Sequence, residues 1–133
     1  MDRSIANYVS QWLKKAEEDL LVVKKLTEDE YIAKSTVCFH CQQAAEKYLK
    51  ALLIATKKEI KKTHNIEYLL SECEEIDRNF ANINPRNLSD FGVEIRYPGD
   101  LYIPEDEEID QHKLVVADIK ELVLENLKKI MPV

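Results

Sequence analysis

The sequence predicts an all-α protein, an antiparallel four-helix up-down bundle with an additional short helix. Apolar residues make up 45% of the chain and recur at intervals of three and four, which places them on one face of a helix. Only 2 glycines and 4 prolines occur among the 133 residues, too few for the many tight turns of an all-β fold. No segment shows the alternation of apolar and polar residues that is typical of a strand.

Length and charge limit the functional classes further. A chain of 133 residues predicts a single domain over residues 1–133. With 19 basic and 25 acidic residues the net charge is −6, so any contact with nucleic acid must come from a local basic patch. No apolar run is long enough for a membrane span or a signal peptide, so we expect no membrane association and a cytoplasmic location.

The second of the four main helices is predicted to be central. We expect the first helix over residues 10–26 and the second over residues 31–56. The apolar residues of the second helix form two adjacent rows, which gives it a face wide enough to pack on several neighbours. These rows are Ala33, Val37, Cys41, Ala44, Tyr48, Leu52 and Ala55, and Cys38, Ala45, Leu49 and Leu53. In the first helix Asp19 is unusual, because it lies beside the apolar stripe.

The second half of the chain contains two further helices and the short one. Thr63 is the expected cap of the third helix, which should end near Ile76. Asparagines and Pro85 predict a loop over residues 77–85, followed by a short helical turn over residues 85–91. The last helix is expected to begin at Pro104 and to end near Ile130, with acidic residues in its first turn that complement the helix dipole.

The second helix also carries a polar strip, Gln43, Glu46, Lys47 and Lys50, at helical spacing. Glu46 and Lys50 are four residues apart and are expected to pair, a contact that contributes about 0.3–0.5 kcal/mol on an exposed helix. One interpretation is an ordinary solvated face. The functional interpretation is that Lys47 and Lys50 bind phosphate, while Glu46 orients Arg96.

Arg96 and two tyrosines form the second group of candidates. The planar, permanently charged guanidinium of Arg96 suits a phosphate, but it suits equally a structural ion pair with Asp19 or Glu46. Tyr97 and Tyr102 lie on either side of the Pro98-Gly99 turn. Their rings are suited to stacking on a base, or to covering an edge of the core.

A basic connector and two histidines complete the candidates. Between residues 47 and 64 the chain has six lysines and one acid, Glu59, so this segment either attracts a nucleotide or RNA or is simply a solvated loop. His64 follows Thr63 and is expected to bond at a helix start or to carry a proton. His112 lies on the apolar stripe of the last helix, as a core or interface histidine or a displaced catalytic one.

We expect neither a metal nor a cofactor. Cys38 and Cys41 lie one helical turn apart, but the sequence has no second pair of ligands for a structural zinc site. The third cysteine, Cys73, is also isolated. In a cytoplasmic chain all three are expected to be reduced thiols that behave as small apolar residues.

Four segments together resemble the HEPN family. Residues 39–53, with the run Gln42-Gln43-Ala44-Ala45-Glu46-Lys47, resemble its second-helix motif. The other three segments are residues 16–20 in the first helix, residues 63–66 with Leu69 and Leu70, and the triplet Arg96-Tyr97-Pro98. The resemblance covers about residues 12–127, nearly the whole chain.

The resemblance implies a helical bundle that forms a homodimer and acts with a small nucleotidyltransferase, often as a toxin–antitoxin pair. Together with the residues considered above, it points to a nucleotide- or RNA-associated module, with Arg96 and Glu46 as catalytic candidates and Lys47, Lys50, His64, Tyr97 and Tyr102 as contacts for nucleotide or RNA. Many family members resemble metal-independent ribonucleases, in which an Arg is followed by a His after four to six residues.

This chain departs from that ribonuclease signature. The residues at the fourth to sixth places after Arg96 are Asp100, Leu101 and Tyr102, and the next histidine is His112. Because the expected histidine is missing, the sequence argues against RNA cleavage. The alternative function is a non-enzymatic interaction protein that docks and regulates the nucleotidyltransferase. A third hypothesis is that the partner transfers a nucleotide to Tyr97 or Tyr102.

Overall fold

Four α-helices and two short 3₁₀ helices form the part of the chain that the structure, a computed structural model, describes: residues 2–92 and 102–131. The α-helices are α1 (Arg3–Thr27), α2 (Lys34–Ala55), α3 (Ile66–Glu74) and α4 (Asp106–Ile130), and the 3₁₀ helices Arg78–Asn82 and Leu88–Phe91 lie between α3 and α4. No strand occurs among the described residues. The predicted all-α, four-helix fold class is therefore confirmed.

Helix α2 is the centre of the bundle, as predicted. It packs against α1, α3 and α4, and 14 of its 22 residues are buried. Four of the buried positions are alanines, which let the neighbouring helices approach closely. The buried residues include three that are polar, Gln42, Glu46 and Lys50, so the core of the bundle contains charge as well as apolar side chains.

The contacts of α2 define the directions of the other helices. Trp12, early in α1, lies under the Lys50 ammonium near the end of α2, so α1 and α2 are antiparallel. Lys34 pairs with Asp106 at 2.9 Å, which brings the first turns of α2 and α4 together and makes these helices parallel.

Helix α3 runs in the same direction as α2 and departs from strict up-down alternation. The backbone carbonyl of His64, just before α3, accepts a hydrogen bond from Gln42 (2.9 Å). Near the end of α3, the thiol of Cys73 donates to the carbonyl of Leu49 (3.7 Å). The connector 56–65 carries the chain back along α2 before α3 begins, and this brings His64 beside the middle of α2.

Local capping interactions correct three predicted boundaries. Helix α1 begins at Arg3 rather than residue 10, because Asp2 caps it by accepting from the backbone N–H of Ser4 (2.7 Å). The cap of α3 is Asn65 rather than Thr63, since Asn65 Oδ1 accepts from the backbone N–H of Tyr68 (2.8 Å). Helix α2 begins at Lys34, after the predicted residue 31, because Ala33 has a left-handed backbone (φ 46°).

The segment between α3 and α4 is more ordered than predicted. Residues 77–85 were expected to form a loop, but they include the 3₁₀ helix Arg78–Asn82, which buries Phe80 in the core. The short helix predicted from Pro85 is the 3₁₀ helix Leu88–Phe91. Helix α4 begins at Asp106, two residues after Pro104, because Glu105 is still extended. No helix of the described residues is long and apolar enough to cross a bilayer.

Candidate functional site

The polar residues of α2 form a continuous surface between α1 and the connector. We call Gln42, Gln43, Glu46, Lys47 and Lys50 the α2 polar strip. On one side of the strip Lys47 and Lys50 contact α1, and on the other side Gln42 and Glu46 contact His64. The structure therefore brings together four of the predicted site residues, Glu46, Lys47, Lys50 and His64.

Glu46 is the centre of the first cluster. Its Oε1 accepts hydrogen bonds from His64 Nδ1 (2.7 Å) and Gln42 Nε2 (3.2 Å), and its Oε2 accepts from Lys50 Nζ (3.0 Å). Glu46 and Lys50 are only 5% and 6% exposed. The predicted pair is thus confirmed, whereas the interpretation as a solvated face is wrong for these two residues. The Lys50 ammonium lies against Glu46 and 5.8 Å from the Trp12 ring centroid.

Asp19 is the centre of a second cluster with the same chemistry. Its Oδ1 accepts from His40 Nδ1 (2.8 Å), and its Oδ2 accepts from Lys47 Nζ (2.6 Å). These two partners explain how a carboxylate can lie buried beside the apolar stripe of α1. Sequence reasoning missed the role of His40. The available signal was the spacing of seven residues between His40 and Lys47, which puts them on one face of α2.

In both clusters one carboxylate oxygen holds an imidazole and the other holds an ammonium. Because a carboxylate only accepts, each histidine must donate its Nδ1–H, which leaves Nε2 as the free ring nitrogen. The His64 side chain is 62% exposed and that of His40 only 22% exposed. His64 is therefore the better placed of the two to exchange a proton with a ligand or to contact an anion.

The backbone at Gly92 closes over the first cluster. A Cβ at this position would lie 3.0 Å from His64 Cβ and 3.3 Å from Gln42 Nε2, which is tighter than ordinary van der Waals contact. A side chain at position 92 would therefore displace His64 or Gln42. The predicted site residues Arg96 and Tyr97 lie outside the described residues, as does the turn at Pro98-Gly99.

Tyr102 lies beside the first turn of α4 rather than on the α2 polar strip. Its ring is 54% exposed and lies 6.5 Å from that of Phe91. Its hydroxyl donates to Glu108 Oε1 (2.5 Å), and this hydrogen bond raises the pKa of Tyr102. The ring is accessible, but Tyr102 has no hydrogen bond or ring contact with the strip.

The connector that leads from α2 to His64 carries four lysines, three of which are exposed. Lys57, Lys61 and Lys62 are exposed, and the Lys61 ammonium lies 5.4 Å from the Tyr68 ring centroid. Lys58 differs, because it pairs with Glu75 at 2.6 Å. Three cations of the predicted basic patch are thus accessible to an anion.

His112 is a core histidine. It is fully buried, its Nε2 donates to Asn87 Oδ1 (2.8 Å), and its ring packs edge-on against Phe91. Its Nδ1 is buried with no hydrogen-bond partner in the described part of the chain. Burial lowers the pKa of His112, with opposing contributions from Glu108 and Asp90.

The three cysteines are buried thiols, as expected. Burial raises the pKa of Cys38, Cys41 and Cys73 to about 12, so they remain protonated and uncharged near neutral pH. Within residues 2–92 and 102–131, no group of three or more His, Cys, Asp or Glu side chains is arranged to hold a metal ion. The spacing of Cys38 and Cys41 thus reflects helix packing.

We predict that Glu46→Gln destabilises the fold, because it leaves the buried Lys50 ammonium without its carboxylate. The expected loss in the free energy of unfolding is about 3–5 kcal/mol, and Glu46→Gln with Lys50→Met should recover much of it. Urea unfolding followed by circular dichroism measures both effects. Glu59→Gln, a charge change in the exposed connector, is the matched control. Equal stability of Glu46→Gln and the wild type would contradict the pairing.

We predict that His112 makes the fold less stable as the pH falls from 7 to 5. The unfolded chain binds a proton at this residue near pH 6.5, whereas the folded chain requires a lower pH. Between these values the unfolded state holds more protons, so the free energy of unfolding decreases with falling pH. Urea unfolding at a series of pH values should show a shallower decrease for His112→Gln. Parallel curves for the two proteins would exclude His112 as the source.

Comparison with known proteins agrees with the helical fold of the bundle. The family model of the HEPN domain matches residues 9–128, which include α2, α3 and most of α1 and α4. No curated protein and no solved structure matched the chain. Because the match covers most of the sequence and includes the whole α2 polar strip, the chain belongs to the HEPN domain family.

Proposed function

We propose that this HEPN protein is a nucleotide- or RNA-associated module that acts with a nucleotidyltransferase partner as part of a toxin–antitoxin pair. Membership of the family supports the association with nucleotides or RNA. The observation that carries the proposal is the His64 imidazole, which is exposed to solvent yet fixed at Nδ1 by the buried carboxylate of Glu46. Such a group is positioned in advance for a phosphate or a ribose hydroxyl.

Phosphates are proposed to approach α2 from the connector side. His64 and Lys47 offer partly exposed nitrogen atoms at either edge of the α2 polar strip, and Lys57, Lys61 and Lys62 extend the positive surface. Each lysine that neutralises a phosphate releases counterions, so binding should weaken steeply with salt. In this arrangement Lys50 acts by neutralising Glu46.

Arg96 is proposed as the residue that holds the phosphate, with Glu46 orienting it. It follows Gly92 by four residues, and four residues span at most about 14 Å. Gly92 packs against His64 and Gln42, and we therefore propose that Arg96 acts at the first cluster. Without a histidine four to six residues after Arg96, we propose binding rather than efficient cleavage.

We further propose that the active unit is a cytoplasmic homodimer of this single-domain chain. Family membership supports dimerisation, since HEPN domains often dimerise. Ile32 and Ile103 lie just before α2 and α4, Leu114 lies within α4, and these three residues are 49%, 63% and 66% exposed, respectively. Exposed apolar side chains of this size are typical of a surface that a second copy covers.

The proposal predicts that the connector lysines contribute to RNA affinity. Lys61→Gln with Lys62→Gln should raise the Kd for single-stranded RNA several-fold, because two phosphate contacts are lost. It should also reduce the slope of log Kd against log salt by about 1–2. Fluorescence anisotropy of a labelled 12-nucleotide RNA measures both quantities. Arg96→Ala should weaken binding as well.

The matched control is Lys128→Gln with Lys129→Gln, which removes the same charge in the last turn of α4. It should leave the Kd nearly unchanged. Equal weakening by both pairs would indicate a general charge effect and contradict a site at the connector. Failure of the wild-type protein to bind RNA or a nucleotide at low salt would contradict the proposed function.

A second candidate function is a non-enzymatic docking protein that regulates the nucleotidyltransferase. The acidic first turn of α4, with exposed Asp106 and Glu107, favours it as a charged contact for a partner. Co-expression with a nucleotidyltransferase encoded beside this chain separates the two functions. A stable complex without RNA affinity supports docking alone, and a nucleotide added to Tyr97 or Tyr102, seen by mass spectrometry, supports transfer by the partner.

A further inference from the structure

An open groove separates α1 from α4 on the side of α2 away from His64. Both helices pack on or beside α2, and between them lies a space of about 410 Å³. Four side chains of apolar character line it: Leu20, Val23, Cys41 and Ala117. None of them belongs to the α2 polar strip, so this groove is separate from the site proposed above.

The groove is apolar because of the particular residues at its base. Cys41 and Val23 are buried, and the Cys41 thiol is uncharged because burial raises its pKa to about 12. Ala117 is exposed, and its small methyl group leaves space between Lys113 and Lys120, which lie on either side of it along α4. An apolar chain in this space would remove the four side chains from water.

Three lysines stand around this apolar base: Lys24 on α1, and Lys113 and Lys120 on α4. Lys120 pairs with Glu17 at 2.9 Å. Lys113 lies 5.3 Å from the Tyr31 ring centroid, and among the described residues neither it nor Lys24 has a carboxylate partner.

The charge around the groove contrasts with that of the whole protein. Glu28 is the acidic residue lining the groove, and it lies 3.8 Å from Lys25, outside the lining. Even with Glu17, which pairs with Lys120, the three lysines outnumber the two acids, in a chain whose net charge is −6. This excess of positive charge around an apolar base favours an anion that also has an apolar part.

We propose that this groove binds a small amphipathic anion, an alkyl chain with a carboxylate or phosphate head. The chain would lie on Leu20, Val23 and Ala117, and the head would lie among Lys24, Lys113 and Lys120. A volume of about 410 Å³ is within the usual range for small-ligand sites. A nucleotide fits less well, because no aromatic ring lines the described groove for its base to stack on.

Isothermal titration calorimetry of the full chain with hexanoate, octanoate, decanoate and decyl phosphate tests the proposal. Each added methylene group should tighten binding about two- to fourfold until the groove is filled. Decyltrimethylammonium has the same tail with a cationic head, and it should not bind. Comparison of decanoate with decyl phosphate shows which anionic head the lysines prefer. Equal binding of the cationic amphiphile, or no binding of any anion, would overturn the proposal.

Two variants locate the ligand in the groove. Ala117→Trp fills an exposed position without entering the core, and it should abolish decanoate binding. Lys113→Gln should weaken decanoate about two- to fivefold, the range expected for one partly exposed ion pair. Lys128→Gln, in the last turn of α4, is the control and should have no effect. Unchanged affinity in Ala117→Trp would place the ligand elsewhere and overturn the proposal.

Two further outcomes would also overturn the proposal that the groove binds an amphipathic anion. If ATP competes with decanoate, the groove is a nucleotide site. If Ala117→Trp changes the oligomeric state in a sedimentation experiment, the groove is an interface between two copies of the chain. RNA binding measured on the same variants distinguishes the proposal of a ligand in the groove from the proposal of an RNA-associated function. Since the groove shares no residue with the α2 polar strip, RNA affinity should remain unchanged in Ala117→Trp whether or not decanoate binds.

Discussion

Burial of two carboxylates against one helix is the constraint on which the rest of the structure depends. A buried carboxylate without partners costs several kcal/mol, so Asp19 and Glu46 require cations close by. The pairing of Asp19 with His40 and Lys47 fixes the register of α1 on α2. The pairing of Glu46 with His64 fixes where the connector returns along α2. The packing of α1 on α2 and the packing of the connector on α2 are thus both determined by charge as well as by apolar contact.

The same constraint explains how a ligand-binding surface can exist inside a tightly packed bundle. Removing Glu46 from water requires hydrogen bonds to both of its oxygens, and Lys50 supplies one of them from within α2. Gln42, also from α2, donates to the other oxygen, while the third partner, His64, comes from outside the helix and keeps its ring largely in solvent. The partner that stabilises the buried charge therefore also presents a titratable nitrogen at the surface. The stability of the fold and the proposed recognition of a ligand therefore depend on the same hydrogen bond.

Much of the bundle could be predicted from the sequence, because the residues that a helix buries against its neighbours are apolar and recur at intervals of three and four. The rows of α2 that contain Val37, Cys41 and Leu49 are buried as expected, except for Ala33, which is exposed and precedes the helix. Helix ends were less predictable, since they depend on single side chains such as Asp2 and Asn65 that bond to the backbone. The direction of α3 could not be deduced from periodicity, because it is determined by the path of the connector rather than by any helical pattern.

The candidate site was predictable only where its contacts are local. Glu46 and Lys50 lie one turn apart in the same helix, so their pairing follows from helix geometry alone. The contact between Asp19 and His40 joins two helices. It depends on the register of α1 against α2, which cannot be deduced from a single sequence.

Charge distribution then limits which ligands can reach either surface of α2. The chain as a whole is acidic, so long-range electrostatics repel polyanions from most of its surface. Within the described residues, local positive charge is offered by the exposed lysines of the connector and by the lysines around the groove formed by Leu20, Val23 and Cys41. A flexible RNA strand can follow the exposed connector, whereas the groove, with a volume of about 410 Å³, admits only a small molecule. The two proposed sites, which lie on different sides of α2, are therefore expected to select different anions by shape, although their lysines offer the same charge.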